Sequence, residues 1–195
     1  MTLHRAKAIP GTLTACMEGT RDAHTCAIIL NGETRRAYAK PLADDQLIAE
    51  CFCALLLRRW GLNVPEPVMI EIDGRDWFGS LDTSYPDIKR RFGVREGLSA
   101  PVYHARVRRA AAQVCQLAST PRAIACDEAI ANGDRNLGNI LWDGSEAAWI
   151  DHERAMELPD WEDNNKLAMM AILSGQIDNS QRGAVAAALT FARDG

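Results

Sequence analysis

No stretch of this sequence is long and apolar enough to predict a membrane-spanning helix. The longest apolar run, residues 51–57, falls far short of the ~20 residues that cross a bilayer. Residues 1–8 include His4, Arg5 and Lys7, but Ile9-Pro10-Gly11 follows them instead of an apolar segment. We therefore expect no secretory signal and no membrane partner, and we expect a cytoplasmic protein.

The sequence also lacks an excess of positive charge and has no Cys-x-x-Cys pair. Its 195 residues carry a net charge of −4 with a pI near 5.6, which argues against nucleic acid as the partner of the whole molecule. The six cysteines have no metal-ligand spacing, so we expect buried, reduced thiols. A composition of 47% hydrophobic and 25% charged residues is typical of a globular protein and excludes extensive disorder.

Turn dipeptides divide the first 80 residues into strands. Asn31-Gly32 and Asp73-Gly74 favour tight hairpin turns, because both turn positions require positive φ. The strands predicted around these turns are residues 12–18, 25–30, 34–40, 68–72 and 75–79. Between the hairpins, residues 44–60 contain no Gly or Pro, begin with acids and end with bases, as a helix does. Its middle is apolar nearly all round, so we expect it to pack on more than one side.

Beyond Ser80 the sequence changes to turn formers and then to a basic tract. Here we predict four helices, at residues 102–118, 121–131, 161–173 and 180–192, with Thr120 as the N-cap of the second. A third hairpin, residues 139–151, turns at Asp143-Gly144. The prediction is an α+β chain with two lobes, a strand-rich one at 1–80 and a mainly helical one at 81–195.

Residues 132–151 concentrate oxygen ligands. Asp134 and Asn139 lie five residues apart in a glycine-containing loop, and Asp151 follows the second strand of the hairpin. Because the hairpin returns the chain, the three side chains should converge near one point. Phosphoryl transfer from ATP requires such a set, with a carboxylate near the accepting hydroxyl and oxygen donors for Mg²⁺. The alternative is that these residues cap local turns.

This spacing resembles the catalytic loop of the protein-kinase-like superfamily. Within it, Asp134-Arg135 and the preceding helix that ends in Asn132 look most similar to HipA-family kinases. The resemblance implies a bilobal kinase fold with a small lobe of about five antiparallel strands plus one helix, and a reduced, mainly helical second lobe. It also implies an ATP- and Mg²⁺-dependent serine/threonine kinase with a protein substrate.

The resemblance assigns a role to each candidate residue. Lys40 would hold the ATP phosphates and pair with Glu50, Asp134 would serve the accepting hydroxyl, and Asn139 and Asp151 would bind the metal ion. Gly19 and Thr20 would lie in the loop that covers the phosphates, although an ordinary hairpin loop fits them as well. These expectations follow from the family.

The sequence itself supports a Lys40–Glu50 pair. Lys40 is one of only four lysines and ends a predicted strand, whereas Glu50 is the only acid in the apolar middle of the helix. A buried carboxylate is costly unless it is paired, and Lys40 is the natural partner. The alternative is a solvated strand lysine and a glutamate on an exposed stripe.

Three further features of the sequence allow more than one interpretation. The tract 87–109 carries seven bases against two acids and could receive an acidic protein, a phosphate-bearing substrate or RNA, or form a solvated face. Arg135 could neutralise phosphate charge or brace the loop. His152 is expected to pack or form hydrogen bonds and not to bind metal, because no second ligand has suitable spacing.

The same residues leave other functions open. One is a small-molecule kinase of the aminoglycoside-phosphotransferase type, which shares a similar Gly138-Asn139 segment and hairpin. Others are a lipid-kinase-like activity, a non-catalytic nucleotide-binding pseudokinase, and AMP transfer with a reversed nucleotide.

Overall fold

The computed structural model describes residues 2–16, 22–156 and 163–191. The first half of the chain is a sheet with one helix. Its elements are β1 (His4–Lys7), β2 (Thr14–Ala15), β3 (His24–Leu30), β4 (Glu33–Lys40), α1 (Asp44–Arg59), β5 (Pro67–Ile72) and β6 (Arg75–Leu81). The predicted order of strands around one helix is therefore present in the structure.

The sheet has the order β1-β5-β6-β4-β3-β2 and one more strand than predicted. The five predicted strands pair antiparallel, whereas β1 pairs parallel to β5, with His4 opposite Val68 and Lys7 opposite Glu71. The prediction of about five antiparallel strands therefore missed β1. Its sequence, His-Arg-Ala-Lys, buries only Ala6, so no strand-like apolar pattern marks it.

The two hairpin turns of the sheet adopt the predicted conformation. Asn31-Gly32 has φ values of 53° and 82°, and Asp73-Gly74 has 50° and 75°. The third hairpin differs, because only Gly144 has positive φ and four residues connect its strands. The Asp143 carboxylate accepts hydrogen bonds from the N–H groups of Ser145 and Glu146, which sets a wider turn.

Helix α1 has the predicted ends, with acids in its first turn and Arg58 and Arg59 in its last. Gly61, at φ 75°, then reverses the chain. As expected, the helix packs on more than one side, against β5 and β6 and against the helical half of the chain, whereas Ile48 and Phe52 are 64% and 50% exposed. The buried face of α1 is formed largely by small residues, which let it lie close to its neighbours.

The second half of the chain is mainly helical. Its elements are α2 (Ile88–Arg91), α3 (Ala100–Gln116), α4 (Thr120–Ala129), a 3₁₀ turn (Leu137–Asn139), β7 (Ile140–Trp142), β8 (Ala147–Trp149), α5 (Leu167–Leu173) and α6 (Ile177–Phe191). Strands β7 and β8 pair antiparallel as the predicted third hairpin. In the described residues, no helix is long and apolar enough to cross a membrane.

The four predicted helices begin one to six residues away from their predicted starts, and α2 was not predicted. The helix predicted at residues 161–173 begins at Leu167, because 163–166 instead bind the loop that carries Asp134, as described below. Thr120 is the first residue of α4 and not its N-cap, which is Ser119. The Thr120 hydroxyl donates to the carbonyl of Val114, so it joins α4 to the end of α3.

The described residues form two hydrophobic cores. One covers a face of the sheet around Ile28, Val68 and Ile70. The other lies among the helices and the β7–β8 hairpin around Trp149, and it includes Leu57 of α1. Helix α1, although it belongs to the first half of the chain, therefore contributes to the core of the helical half. The division of the chain at residue 80 stays a prediction.

The six cysteines are free thiols, but Cys16 and Cys115 are only partly buried, contrary to the prediction of buried thiols. Four are buried, and burial raises the pKa of both Cys53 and Cys126 to about 12. These two thiols are therefore weak nucleophiles at neutral pH and act as packing groups.

Candidate active site

Lys40, at the end of β4, lies between two carboxylates from the other half of the chain. Its Nζ donates hydrogen bonds to Asp151 Oδ1 at 2.6 Å and to Glu153 Oε2 at 3.0 Å. Burial alone would lower the pKa of Lys40, but the charges of Asp151, Glu153 and Glu50 raise it well above its ordinary value. The side chain is thus a permanent cation at the junction of the sheet and the hairpin.

Glu50 does not form the expected ion pair with Lys40. It is 2% exposed, and its carboxylate accepts a hydrogen bond from the backbone N–H of His152 and lies 3.4 Å from His152 Nδ1. The ammonium instead pairs with Asp151 and Glu153. The prediction of a direct contact is wrong because the backbone N–H of the residue after Asp151 binds the Glu50 carboxylate. Glu50 still acts on Lys40 through its charge.

Asp151 follows β8 directly and has a left-handed backbone, with φ 71°. Burial raises its pKa, but the charge and hydrogen bond of Lys40 outweigh this effect and hold the pKa below its ordinary value. Asp151 is therefore ionised at neutral pH. The left-handed conformation is one that Asp tolerates better than most residues, and it precedes the N–H that binds Glu50.

Three carboxylates surround this position. One oxygen each from Glu50, Asp151 and Glu153 lies within 4.8 Å of the others. Such hard oxygen donors suit Mg²⁺. Glu153 was not predicted from the sequence, although an acid two residues after a proposed metal ligand is a signal that could have indicated it.

Asp134 and Asn139 are joined through the backbone of the loop. The Asn139 Nδ2 donates to the carbonyl of Asp134 at 2.7 Å, and the Asn139 carbonyl accepts from the N–H of Ile150. These bonds set Asn139 beside the segment that leads into Asp151. The Asn139 amide oxygen does not take part in the bond to Asp134 and is the atom that could bind a metal ion.

The Asp134 carboxylate is the most accessible acid of the site. Its side chain is 27% exposed, and its Oδ2 lies 3.3 Å from Arg154 Nη1. Burial raises the pKa of Asp134 above its ordinary value, and the Arg154 charge opposes this shift. Arg154 was not identified from the sequence, because nothing in its spacing indicates a contact with Asp134.

Arg135 braces the loop, which decides between the two interpretations. It is fully buried, and its guanidinium holds the Asp127 carboxylate with two hydrogen bonds of 2.8 and 2.9 Å. It also donates to the carbonyls of Asn139 and Ile150 and lies over the Trp149 ring. With all of its donor groups directed inward, Arg135 is not available to a phosphate group.

The segment before α5 completes the support of the loop. The N–H groups of Asn164 and Lys166 donate to the carbonyls of Gly133 and Arg135 at 2.6 and 2.7 Å. The Asn165 amide donates to the Asp127 carboxylate and to the Asn132 carbonyl. No pattern in the sequence indicated Asn165. Asp127, a charged residue on an otherwise apolar helix face, could have been recognised.

Two further predicted positions remain. Gly19 and Thr20, assigned to the loop over the phosphates, lie outside the described residues. His152 is fully buried beside Glu50, and in the described part of the chain its ring nitrogens form no hydrogen bond. It therefore packs within the site, as expected.

Comparison with known proteins supports the fold. No family model and no curated protein matches the sequence. Among solved structures, the chain is similar to the Helicobacter pylori proinflammatory kinase CtkA, with a TM-score of 0.53 and 11% sequence identity. The similarity covers 79% of this chain but only 62% of that protein. Together with the six-stranded sheet and the helical half, it shows that the chain has a bilobal, kinase-like α+β fold.

Proposed function

We propose that the protein is an ATP-dependent phosphotransferase that moves the γ-phosphoryl group to a hydroxyl, as a HipA-like serine/threonine kinase does. One observation carries the proposal. A lysine from the sheet contacts Asp151 at 2.6 Å across 111 residues of sequence, beside the loop that carries Asp134 and Asn139. In a kinase-like fold, this contact lies where nucleotide phosphates and metal are expected.

The donor set fits the two cofactors. The Lys40 ammonium would hold the phosphates of ATP, and Asn139 and Asp151 would hold Mg²⁺, with Glu153 close enough to assist. When bound, Mg²⁺ neutralises the negative charge of the phosphates. Glu50 would hold the N–H after Asp151 and so fix that side chain, instead of binding Lys40 directly.

Asp134 is the group that would orient the acceptor hydroxyl and take its proton. Its carboxylate is partly exposed, whereas Asp151 is buried and bound to Lys40. The Arg154 charge opposes the effect of burial, which raises the pKa of Asp134, and so favours the ionised carboxylate. The two aspartates therefore differ in accessibility and environment, as different roles require.

The test is transfer of label from ATP to proteins of a cell lysate in the presence of Mg²⁺. We expect γ-labelled ATP to label one or a few proteins on serine or threonine, which mass spectrometry identifies. Asp134→Asn should nearly abolish the labelling. Glu128→Gln, an exposed acid of α4, is the control and should leave it unchanged. Equal labelling by Asp134→Asn and wild type would contradict the proposal.

The same assay separates the alternatives. Label retained from α-labelled ATP, and not from γ-labelled ATP, would indicate AMP transfer. Transfer to aminoglycosides or lipids without labelled protein would indicate a small-molecule or lipid kinase. Binding of nucleotide without any transfer or hydrolysis would indicate a pseudokinase.

A further inference from the structure

Part of the basic tract at residues 87–109 is exposed to solvent. Three of its seven bases make contacts within the chain: Arg91 lies 5.1 Å from the Trp142 ring, Arg106 donates to the Gly93 carbonyl at 2.6 Å, and Arg90 is also engaged. The other four, Lys89, Arg95, Arg108 and Arg109, are exposed. We call these four residues the basic surface.

The basic surface is unneutralised. Across residues 2–16, 22–156 and 163–191, none of its four side chains forms an ion pair with a carboxylate. Like charges that lie close together repel each other at low salt, so an anionic partner would relieve this repulsion.

Backbone contacts bring parts of the basic surface together. The N–H of Val94 donates to the Lys89 carbonyl at 2.8 Å, so the loop that carries Arg95 folds back on α2. Arg106 joins α3 to the same loop through Gly93, and Arg109 lies one turn further along α3.

This region adjoins the loop of the candidate active site. Helix α2 packs against the 3₁₀ turn that ends at Asn139, and the residue before α2, Asp87, pairs with Leu141 of β7. Asn139 in turn binds the Asp134 carbonyl. A substrate segment on α2 therefore lies one element away from the carboxylate assigned to the acceptor hydroxyl.

We propose that the basic surface receives a segment rich in Asp and Glu from the protein substrate and so directs its hydroxyl toward Asp134. This inference rests on the proposed kinase function, which requires an acceptor hydroxyl at Asp134. It adds that the substrate segment beside this hydroxyl is acidic. An acidic peptide fits better than nucleic acid, because the rest of the molecule is acidic and would repel a long polyanion.

The test is fluorescence anisotropy with two labelled peptides, each containing one serine. In one peptide glutamates flank the serine, and in the other glutamines replace them. At low salt we expect the glutamate peptide to bind about tenfold more tightly, and we expect added salt to remove the difference. Lys89→Glu/Arg95→Glu should lose this preference. Arg75→Glu, at an exposed base that begins β6, should retain it.

A second double variant, Arg108→Glu/Arg109→Glu, keeps the test decisive if the first does not fold, as judged by circular dichroism. Equal binding of the two peptides, or equal loss in Arg75→Glu, would overturn the inference. Tighter binding of a single-stranded RNA that depends on the same four residues would also overturn it. Selective binding of the acidic peptide without any phosphoryl transfer would support the surface but contradict the kinase function.

Discussion

At the scale of single residues, the ion pair between Asp127 and Arg135 lies beneath the loop that carries Asp134. Both side chains are buried, and the guanidinium reaches the carbonyls on both sides of β7–β8. Charge buried in this way is costly unless every donor and acceptor is matched. The pair therefore fixes the loop only as a complete unit.

We expect Asp127→Asn to lower the free energy of unfolding by about 3 kcal/mol, because it leaves the Arg135 charge buried without a counter-charge. Urea unfolding measures the change. Glu128→Gln, at the next position of α4 but exposed, should alter stability by less than about 0.5 kcal/mol. Equal stability of Asp127→Asn and wild type would show that the pair does not hold the loop.

Arg154 should set the pH dependence of activity. Burial raises the pKa of Asp134, and the Arg154 charge lowers it. If Asp134 must be ionised to act, Arg154→Gln raises its pKa further and moves the acid limb of the pH–rate profile to higher pH. Arg154→Lys, which keeps the charge, should shift it less. An acid limb that does not move in Arg154→Gln would show that Asp134 is not the titrating group.

Residue spacing predicted part of the site. Asp134, Asn139 and Asp151 could be chosen because a hairpin between them must return the chain, and the structure contains that hairpin. The partner of Lys40 could not be chosen in this way. Glu50 and Asp151 both carry the required charge, and only the folded backbone shows that the N–H of His152 reaches Glu50 first.

At the scale of elements, the segment 163–166 shows where local sequence rules fail. Its composition permits helix, yet two of its N–H groups bind carbonyls of the loop instead of entering α5. Helix α1, in contrast, was predicted correctly because its end signals are local to the helix. A contact with a distant loop has no such local signal.

We expect Asn165→Ala to lower the free energy of unfolding by about 1–2 kcal/mol. The substitution removes the hydrogen bonds that the Asn165 amide donates to the Asp127 carboxylate and to the Asn132 carbonyl. It should also reduce activity, because the loop that carries Asp134 loses a support. Asn179→Ala, an exposed asparagine of α6, is the matched control for both measurements. Equal effects of the two variants would mean that the segment does not support the loop.

At the scale of the whole molecule, the two halves meet at the Lys40–Asp151 contact. The lobes and most strands could be predicted, because a few neighbouring residues determine each hairpin turn and each helix end. Strand β1 could not, since its place beside β5 depends on a parallel pairing across more than sixty residues. How two lobes meet is likewise set by packing between distant segments.

Nucleotide binding should therefore stabilise the whole chain. A ligand at a hundred times its Kd adds about 2.7 kcal/mol, so Mg²⁺ with ATP should raise the Tm by several degrees. Lys40→Met should largely abolish this rise. Lys7→Met, a lysine on the surface of the sheet paired with Glu71, should retain it. A full rise in Lys40→Met would place the nucleotide elsewhere.

The most direct measurement is the rate of ADP formation from ATP and Mg²⁺ by wild type and by Asp151→Asn. Asparagine tolerates the left-handed conformation of Asp151, so the backbone should be preserved while the charge is lost. Asp73→Asn, which is also left-handed but lies in an exposed turn, is the control. We predict that Asp151→Asn loses nearly all turnover and that Asp73→Asn loses none. Full turnover in Asp151→Asn would contradict the assignment of this site.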